Sequence, residues 1–320
     1  MKIIKIVGIF FLIVFTVIPL LLIVSYTNHT KKLKQEAIRY PPLGDLVIVN
    51  GKKIHVYLEG EGEPTLVFLA GHGTSNPTLD FQPLWVRMAE DYRIAVVERL
   101  GYGWSDTSNS PRDINTILEE TRKALDQSGE IGPYVLFPHS MSGLEAIYWA
   151  QKYPDEVEAI IGLDPCTPES MDILPETQKF ILHAMSFISR IGLSRYMPDS
   201  DVEKNFPLMR SEIMTEDDKQ KFMAVFYRSS ITKDMVKEVD FLKGNARTVA
   251  ENEVPINTPM YFFISDDQIA NVPGWKEALT DYLLMINHGE YLQLDAGHYI
   301  HYDQADIIAE KAKAFLGKLN

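Results

Sequence analysis

Short apolar runs alternate with amphipathic stretches along most of the chain. Six of these runs have the length and the residue types of buried β-strands: TLVFLAG, RIAVVE, YVLFPH, EAIIGLD, PMYFFIS and EYLQLD. Stretches such as DINTILEETRKALDQSG separate most of them and have the periodicity of amphipathic helices. Because fully apolar strands are buried on both faces, the pattern predicts an α/β protein with a mostly parallel sheet between layers of helices.

The first part of this sheet has a different pattern. The segment DLVIVNGKKIHVYLEG contains two strand-like runs that meet at Asn50 and Gly51. Asn-Gly adopts the positive φ angles of a tight hairpin turn at little cost. The sheet is therefore predicted to begin with an antiparallel hairpin.

One interval interrupts the alternation. Between Thr167 and Val254 the segments, including TQKFILHAMSFISRIGL and DDKQKFMAVFYRSS, are helical in pattern and rich in Met, Phe and Ile. We interpret residues 167–254 as a helical cap inserted into a core made of residues 45–166 and 255–320. Most of its Met and aromatic side chains are expected to pack within the cap, and some to line a pocket.

The N-terminus is strongly apolar. From Ile3 to Val24 the chain has few polar residues, and about 20 apolar residues suffice to cross a bilayer as a helix. A cleaved signal peptide fits less well, because the following Ser-Tyr-Thr-Asn is a poor cleavage site. The sequence thus predicts a transmembrane anchor over residues 1–27 and a linker over 28–44. Lysines flank the segment on both sides and orient it weakly; our hypothesis places the domain on the extracytoplasmic side.

Charge and cysteine content exclude some classes of protein. The formal net charge is -13, with 44 acidic and 31 basic residues. Nucleic-acid-binding proteins need a basic surface, and here the basic residues are scattered, so we expect no nucleic-acid partner. The single cysteine, Cys166, excludes an internal disulfide framework and a multi-cysteine metal site.

The stretch FPHSMSG places Ser140 between the strand-like YVLF and the helix-like LEAIYWAQKY. A sharp turn between strand and helix raises the serine hydroxyl above the sheet edge, near the positive end of the helix dipole. In this respect the chain resembles the α/β-hydrolase superfamily, whose nucleophile motif is G-x-S-x-G, and the resemblance extends over the chain beyond residue 45. Pro138 and Ser142 stand where that motif has glycines.

The resemblance implies a general base late in the chain. LQLDAGHYIHYD is similar to the family's histidine loop and makes His298 the candidate base, which would accept the Ser140 proton. His301 lies three residues further on. Since no third ligand accompanies this pair in a motif, we expect no metal site.

The acid of the implied triad has two main candidates. Family members usually carry it in the loop after the strand that PMYFFIS resembles, which favours Asp267. Some lipase-like members carry it one strand earlier, and GLDP, with Asp164, resembles them. We favour Asp164 over Asp267, and Asp266 or no acid at all stays open.

The segment FLAGHGTS resembles the family's oxyanion loop. By that resemblance the backbone amides of His72 and Met141 would hold the oxyanion of the tetrahedral intermediate. The glycine-rich GYG and GHG lack the dinucleotide-binding pattern, so the sequence implies no cofactor.

A serine nucleophile implies hydrolysis through an acyl-enzyme. Esters, thioesters or amides fit this chemistry, whereas the epoxide hydrolases and dehalogenases of the superfamily require aspartate at the same place. We therefore predict a serine hydrolase that cleaves carboxylic esters of a small-molecule acyl substrate. Proline-iminopeptidase-like peptidase activity is one alternative, and a catalytically inactive, membrane-anchored binding protein is another. The sequence does not predict the oligomeric state.

Overall fold

The computed structural model describes Lys5 and residues 12–175, 178–211 and 213–319. At its centre lies one sheet of eight strands. These are β1 (Asp45–Val49), β2 (Lys52–Glu59), β3 (Thr65–Leu69), β4 (Arg93–Glu98), β5 (Tyr134–Pro138), β6 (Val157–Leu163), β7 (Met260–Ser265) and β8 (Gly289–Leu294). Their order across the sheet is β1–β2–β4–β3–β5–β6–β7–β8.

The direction of the strands agrees with the sequence pattern. β1 pairs with β2 and β2 with β4 in antiparallel fashion, whereas all other neighbours are parallel. The hairpin between β1 and β2 turns at Asn50 and Gly51, whose φ angles are 51° and 75°. Both φ angles are positive, as in the tight turn that Asn-Gly favours, so the predicted hairpin is confirmed.

Helices cover both faces of the sheet. They are α1 (Ile18–Arg39), α2 (Pro77–Asp80), α3 (Gln82–Met88), α4 (Ile114–Gln127), α5 (Ser142–Lys152), α6 (Ser170–Ile173), α7 (Lys179–Arg190), α8 (Asp199–Asn205), α9 (Glu216–Ser229), α10 (Lys233–Glu251), α11 (Asp266–Asn271), α12 (Trp275–Leu283), α13 (Ile300–Asp303) and α14 (Ala305–Leu316). Ile13–Val17 is a short π-helix, and Pro154–Glu156, Leu193–Tyr196 and Pro207–Arg210 are short 3₁₀ helices.

Alternate side chains of the strands pack in two layers. One layer joins the sheet to α4, α5 and α12, and the other joins it to α3 and α14. All five residues of β3 and all five of β5 are buried, as expected for strands covered on both faces. The amphipathic stretch after β4 forms α4, which begins where the side chain of Asp113 accepts from the amide of Thr116. The predicted α/β fold, a mostly parallel sheet between layers of helices, is confirmed.

The interval between β6 and β7 is helical. Its described residues form α6 to α10 and connecting turns, without a strand, and we call residues 167–254 the helical insertion. It rests on the loops that follow β3 and β4. The hydroxyl of Ser229 donates to the Ser75 carbonyl at 2.7 Å, and the Asp234 carboxylate accepts from the amide of Ser108. These loops lie at the carboxyl ends of the strands.

The predicted membrane anchor is wrong. Among the described residues, no helix is long and apolar enough to cross a membrane. The apolar run leads into α1, and the second half of this helix carries Lys31, Lys32, Lys34, Glu36 and Arg39. The assignment of the domain to the extracytoplasmic side falls with the anchor. Residues 1–4 and 6–11 of the predicted span lie outside the described residues.

Helix α1 instead packs against the helical insertion. Arg195 donates to both carboxylate oxygens of Glu36 at 2.7 Å and, through Nε, to Nδ1 of His29 at 2.8 Å. The hydroxyl of Ser25 donates to the Ile191 carbonyl at 2.8 Å. Burial, and next the charge of Arg195, lowers the pKa of His29, which keeps the ring a hydrogen-bond acceptor. Within the predicted linker, residues 28–44, the chain is thus helical up to Arg39.

Candidate active site

Ser140 stands in a sharp turn between β5 and α5. Its φ angle of 53° lies in the left-handed region, which a non-glycine residue adopts only under constraint. The turn is fixed by the amide of Ser140, which donates to the Leu163 carbonyl at 3.3 Å, and by the Cys166 amide, which donates to the Ser140 carbonyl at 2.8 Å. Gly143 lies against the Cys166 carbonyl, and a methyl group there would overlap it. The backbone thus presents Ser140 at the sheet edge.

The two departures from the G-x-S-x-G pattern have local explanations. Pro138 ends β5 opposite Leu69, and the amide of the next residue, His139, donates to the Leu69 carbonyl at 2.9 Å. The missing donor of the proline is therefore not needed for this contact. The buried hydroxyl of Ser142 donates to the carbonyls of Leu69 and His139 at 2.6 and 2.8 Å. Serine is accommodated in place of glycine because its polar group is satisfied.

His298 lies in the loop between β8 and α13, with its ring between two other polar side chains. Nε2 is 2.9 Å from Oγ of Ser140, and Nδ1 is 2.6 Å from Oδ2 of Asp164. With the carboxylate ionised, Nδ1 carries the ring proton and Nε2 presents a lone pair to the serine hydroxyl. The His298 side chain is 23% exposed, whereas that of Asp164 is fully buried.

The Asp164 carboxylate, just after β6, has a full set of donors. Oδ1 accepts from the Ser265 amide at 3.1 Å and from Nε1 of Trp275 at 2.9 Å, and Oδ2 accepts from the Ser265 hydroxyl at 2.6 Å. A buried carboxylate needs such donors to remain ionised. Ser265 and Trp275 were not predicted from the sequence. The position of Ser265 at the end of the neighbouring strand β7 is the signal that could have identified it.

The alternative acids lie elsewhere. Asp267 is the second residue of α11 and is exposed, and its carboxylate accepts from Nδ2 of Asn271 at 2.9 Å. Asp266 accepts from the side-chain amide of Gln293 at 2.5 Å. Among the three aspartates proposed from the sequence, Asp164 is the one that the structure places beside His298.

The loop after β3 approaches the nucleophile closely. A Cβ atom at Gly71 would lie 3.0 Å from Cβ of Ser140 and 2.8 Å from Nδ1 of His139, so glycine permits this approach. Within the described residues, neither the amide of His72 nor that of Met141 donates to another backbone group. The side chain of His72 points to the helical insertion, where Nε2 donates to the Met235 carbonyl at 2.8 Å. The two amides remain our candidates for the oxyanion hole.

His139 lies behind the catalytic candidates. Its ring centroid is 4.7 Å from that of His298, and its Nε2 donates to the His298 carbonyl at 3.1 Å. Burial, and then the neighbouring His298 and His301 rings, holds the pKa of His139 well below its usual value. His139 is therefore a neutral support for the histidine loop.

The remaining titratable groups near the site have structural partners. His301 is buried, and its Nε2 lies 3.0 Å from Oδ2 of Asp80. Oδ1 of the same carboxylate accepts from the Tyr302 hydroxyl. Burial, and then the charge of Asp164, raises the pKa of the Cys166 thiol to about 12. In the part of the chain that the structure describes, no group of three or more His, Cys, Asp or Glu side chains could hold a metal ion.

Comparison with known proteins agrees with this architecture. Residues 64–191 match the family model for the alpha/beta hydrolase fold. The Bacillus subtilis protein YbdG is 33% identical over 309 residues, which cover 94% of either chain. Two solved structures share the fold at low identity. An epoxide hydrolase of Bacillus megaterium has a TM-score of 0.63, 17% identity and coverage of 85% of this chain and 100% of that one.

The enol-lactonase of Burkholderia xenovorans has a TM-score of 0.59 and 18% identity, and the match covers 85% of this chain and 100% of the lactonase. At such identities the two structures establish the fold alone. The family of the chain follows from the family model and from YbdG, which matches along nearly the whole length. The chain belongs to the α/β-hydrolase fold family.

Proposed function

We propose that the protein is a serine hydrolase that cleaves carboxylic esters or related acyl bonds through an acyl-enzyme. The observation that carries the proposal is the continuous hydrogen-bonded chain from the Ser140 hydroxyl through His298 to the buried carboxylate of Asp164. Nucleophilic catalysis by serine needs this order of groups: a hydroxyl, a neutral imidazole that takes its proton, and a carboxylate that fixes the tautomer.

The first half of the reaction transfers the acyl group to the enzyme. Nε2 of His298 takes the proton of Ser140 while Oγ attacks the ester carbonyl carbon, whose oxygen becomes an anion held by the amides of His72 and Met141. When this anion collapses, the bond to the leaving alkoxide breaks, and Nε2 returns the proton to that oxygen. The Asp164 carboxylate stabilises the imidazolium that exists between the two transfers.

The second half releases the acid. Nε2 of His298 takes a proton from water, the hydroxide attacks the acyl carbonyl, and collapse of the second oxyanion breaks the bond to Oγ of Ser140, which regains a proton from Nε2. Solved neighbours include an epoxide hydrolase, and enzymes of that class in this superfamily use aspartate as nucleophile. The hydroxyl at position 140 favours acyl chemistry over epoxide opening.

The test is hydrolysis of p-nitrophenyl acetate and butyrate by the full chain and by Ser140→Ala. We expect the substitution to lower kcat by at least about 10³-fold, because no other nucleophile replaces the hydroxyl. Ser128→Ala is the matched control, since this serine only donates to the Ala124 carbonyl at the end of α4. Equal rates in the wild type and Ser140→Ala would refute the proposal. Cleavage of aminoacyl p-nitroanilides and not of esters would favour a peptidase.

A further inference from the structure

The loop after β3, residues 70–75, is held by α10 of the helical insertion through the side chain of His72. The His72 ring donates to the Met235 carbonyl at 2.8 Å. On the same helix, Oε2 of Glu238 accepts from the Tyr102 hydroxyl at 2.5 Å. Met235 and Glu238 are three residues apart, so they lie on the same side of α10. The insertion thus contacts His72, the residue whose backbone amide is a candidate oxyanion donor.

Arg99 connects the same loop to the nucleophile helix. Nη2 donates to the Ala70 carbonyl at 2.8 Å, and Nη1 donates to Oε2 of Glu145, in the first turn of α5, at 3.2 Å. The guanidinium lies over the Tyr102 ring at 4.8 Å, and its Nε is 4.0 Å from Oε1 of Glu238. Arg99 therefore joins the oxyanion loop, the helix behind Ser140 and the insertion in one contact network.

The network is buried and charged. Arg99, Tyr102, Glu145 and Glu238 are all buried. Burial, and then the charge of Glu238, raises the pKa of Tyr102, so the phenol keeps the proton that it donates. Hydrogen bonds to ionised groups in a region of low dielectric are short and strong, and loss of one partner leaves the other uncompensated.

We propose that Glu238, acting through Tyr102 and Arg99, is a positioning residue that sets the oxyanion loop from the helical insertion. This inference rests on the proposed function and deepens it. The insertion then contributes to stabilisation of the transition state as well as covering the site. An interaction that acts on the transition state alone lowers kcat when it is lost and leaves KM unchanged.

The experiment compares Tyr102→Phe and Glu238→Gln with Glu120→Gln. The control residue is buried and accepts from Nη1 of Arg112 at 2.7 Å. Nε of the same arginine lies 3.6 Å from Oε1 of Glu238, so this control removes a neighbouring buried carboxylate that makes no hydrogen bond to Tyr102 or Arg99. For Tyr102→Phe and Glu238→Gln we expect kcat for p-nitrophenyl butyrate to fall by about 10- to 100-fold with KM within about twofold, as for a weakened oxyanion donor. Affinity for an alkyl boronic acid, which forms a tetrahedral anion on the serine, should fall by the same factor.

The results that overturn the inference are specific. A rise in KM at constant kcat would make Glu238 a substrate-binding residue, and losses equal to those of Glu120→Gln would reduce it to a structural one. Urea unfolding checks that each variant folds. If Glu238→Gln does not fold, Tyr102→Phe is the variant that tests the inference, because it keeps the aromatic ring that packs against Arg99. A wild-type protein that hydrolyses no ester and binds no boronate refutes the proposed function itself, which is a different outcome.

Discussion

Oδ2 of Asp164 lies 2.6 Å from Nδ1 of His298, although the two residues are 134 positions apart in the chain. They meet because β6, β7 and β8 are parallel neighbours whose carboxyl ends share one edge of the sheet. The acid follows β6, and the donors Ser265 and Trp275 come from the end of β7 and from α12. The carboxylate is thus fixed from three sides, and its role can be tested by substitution.

We expect Asp164→Asn to lower kcat/KM for p-nitrophenyl butyrate by about 10³- to 10⁴-fold, because an amide no longer fixes the His298 tautomer. The matched control is Asp267→Asn, the same change at an exposed position whose carboxylate accepts from Asn271. It should keep nearly the wild-type value. Steady-state kinetics of the two purified variants checks this, and similar rates in both would remove Asp164 from the mechanism.

The close approach of Gly71 to Ser140 leads to a second prediction. An added methyl group would lie 3.0 Å from Cβ of Ser140, so Gly71→Ala should displace the oxyanion loop and lower kcat by about 10- to 100-fold. Gly244→Ala, within α10, adds the same group where nothing lies within 4 Å, and it should keep the wild-type rate. Esterase rates and a thermal melt are the measurements. A fully active Gly71→Ala would show that the loop tolerates the shift or does not bind the oxyanion.

The buried His139 predicts a pH dependence of stability. Its folded-state pKa is lowered, chiefly by burial, so below about pH 6.5 the unfolded chain binds a proton that the folded chain does not. The stability from this group is complete above that pH and falls by about 1.4 kcal/mol per pH unit as the pH decreases further. His139→Gln retains a donor for the His298 carbonyl and does not titrate.

Urea unfolding at a series of pH values between about 5 and 7 measures this effect. Below about pH 6.5, the slope of unfolding free energy against pH should be smaller in His139→Gln than in the wild type by up to about 1.4 kcal/mol per pH unit, and above it the two slopes should agree. His288→Gln, at an exposed histidine, is the control and should keep the wild-type slope. An unchanged slope in His139→Gln would mean that the buried ring is protonated in the folded state.

The sequence correctly predicted those features that depend on residues close together in the chain. Asn50 and Gly51 specify their hairpin turn locally, and the strand, serine and helix around Ser140 are contiguous. The choice between Asp164 and Asp267 could not be made in this way, because it depends on which strand ends meet His298 and on donors far along the chain. The aspartates differ little in local context.

Two other features depend on tertiary contacts. The apolar N-terminal run suggested a membrane span, but α1 carries a charged half whose Glu36 pairs with Arg195, a residue 159 positions away. The contact between Tyr102 and Glu238 spans 136 positions and joins two segments with no visible motif in common. Such pairings are set by packing of the insertion on the core, which the periodicity of either segment does not encode.

The central claim is that Ser140 is an activated nucleophile, and intact-mass analysis after treatment with a fluorophosphonate tests it most directly. Phosphonylation forms a bond between Oγ and phosphorus and releases fluoride, and it is fast only for a serine whose proton a base accepts. We predict one rapid adduct in the full-length wild type and none in Ser140→Ala. Folded wild-type protein that gains no adduct, or an adduct that persists in Ser140→Ala, would contradict the assignment of Ser140 as the nucleophile.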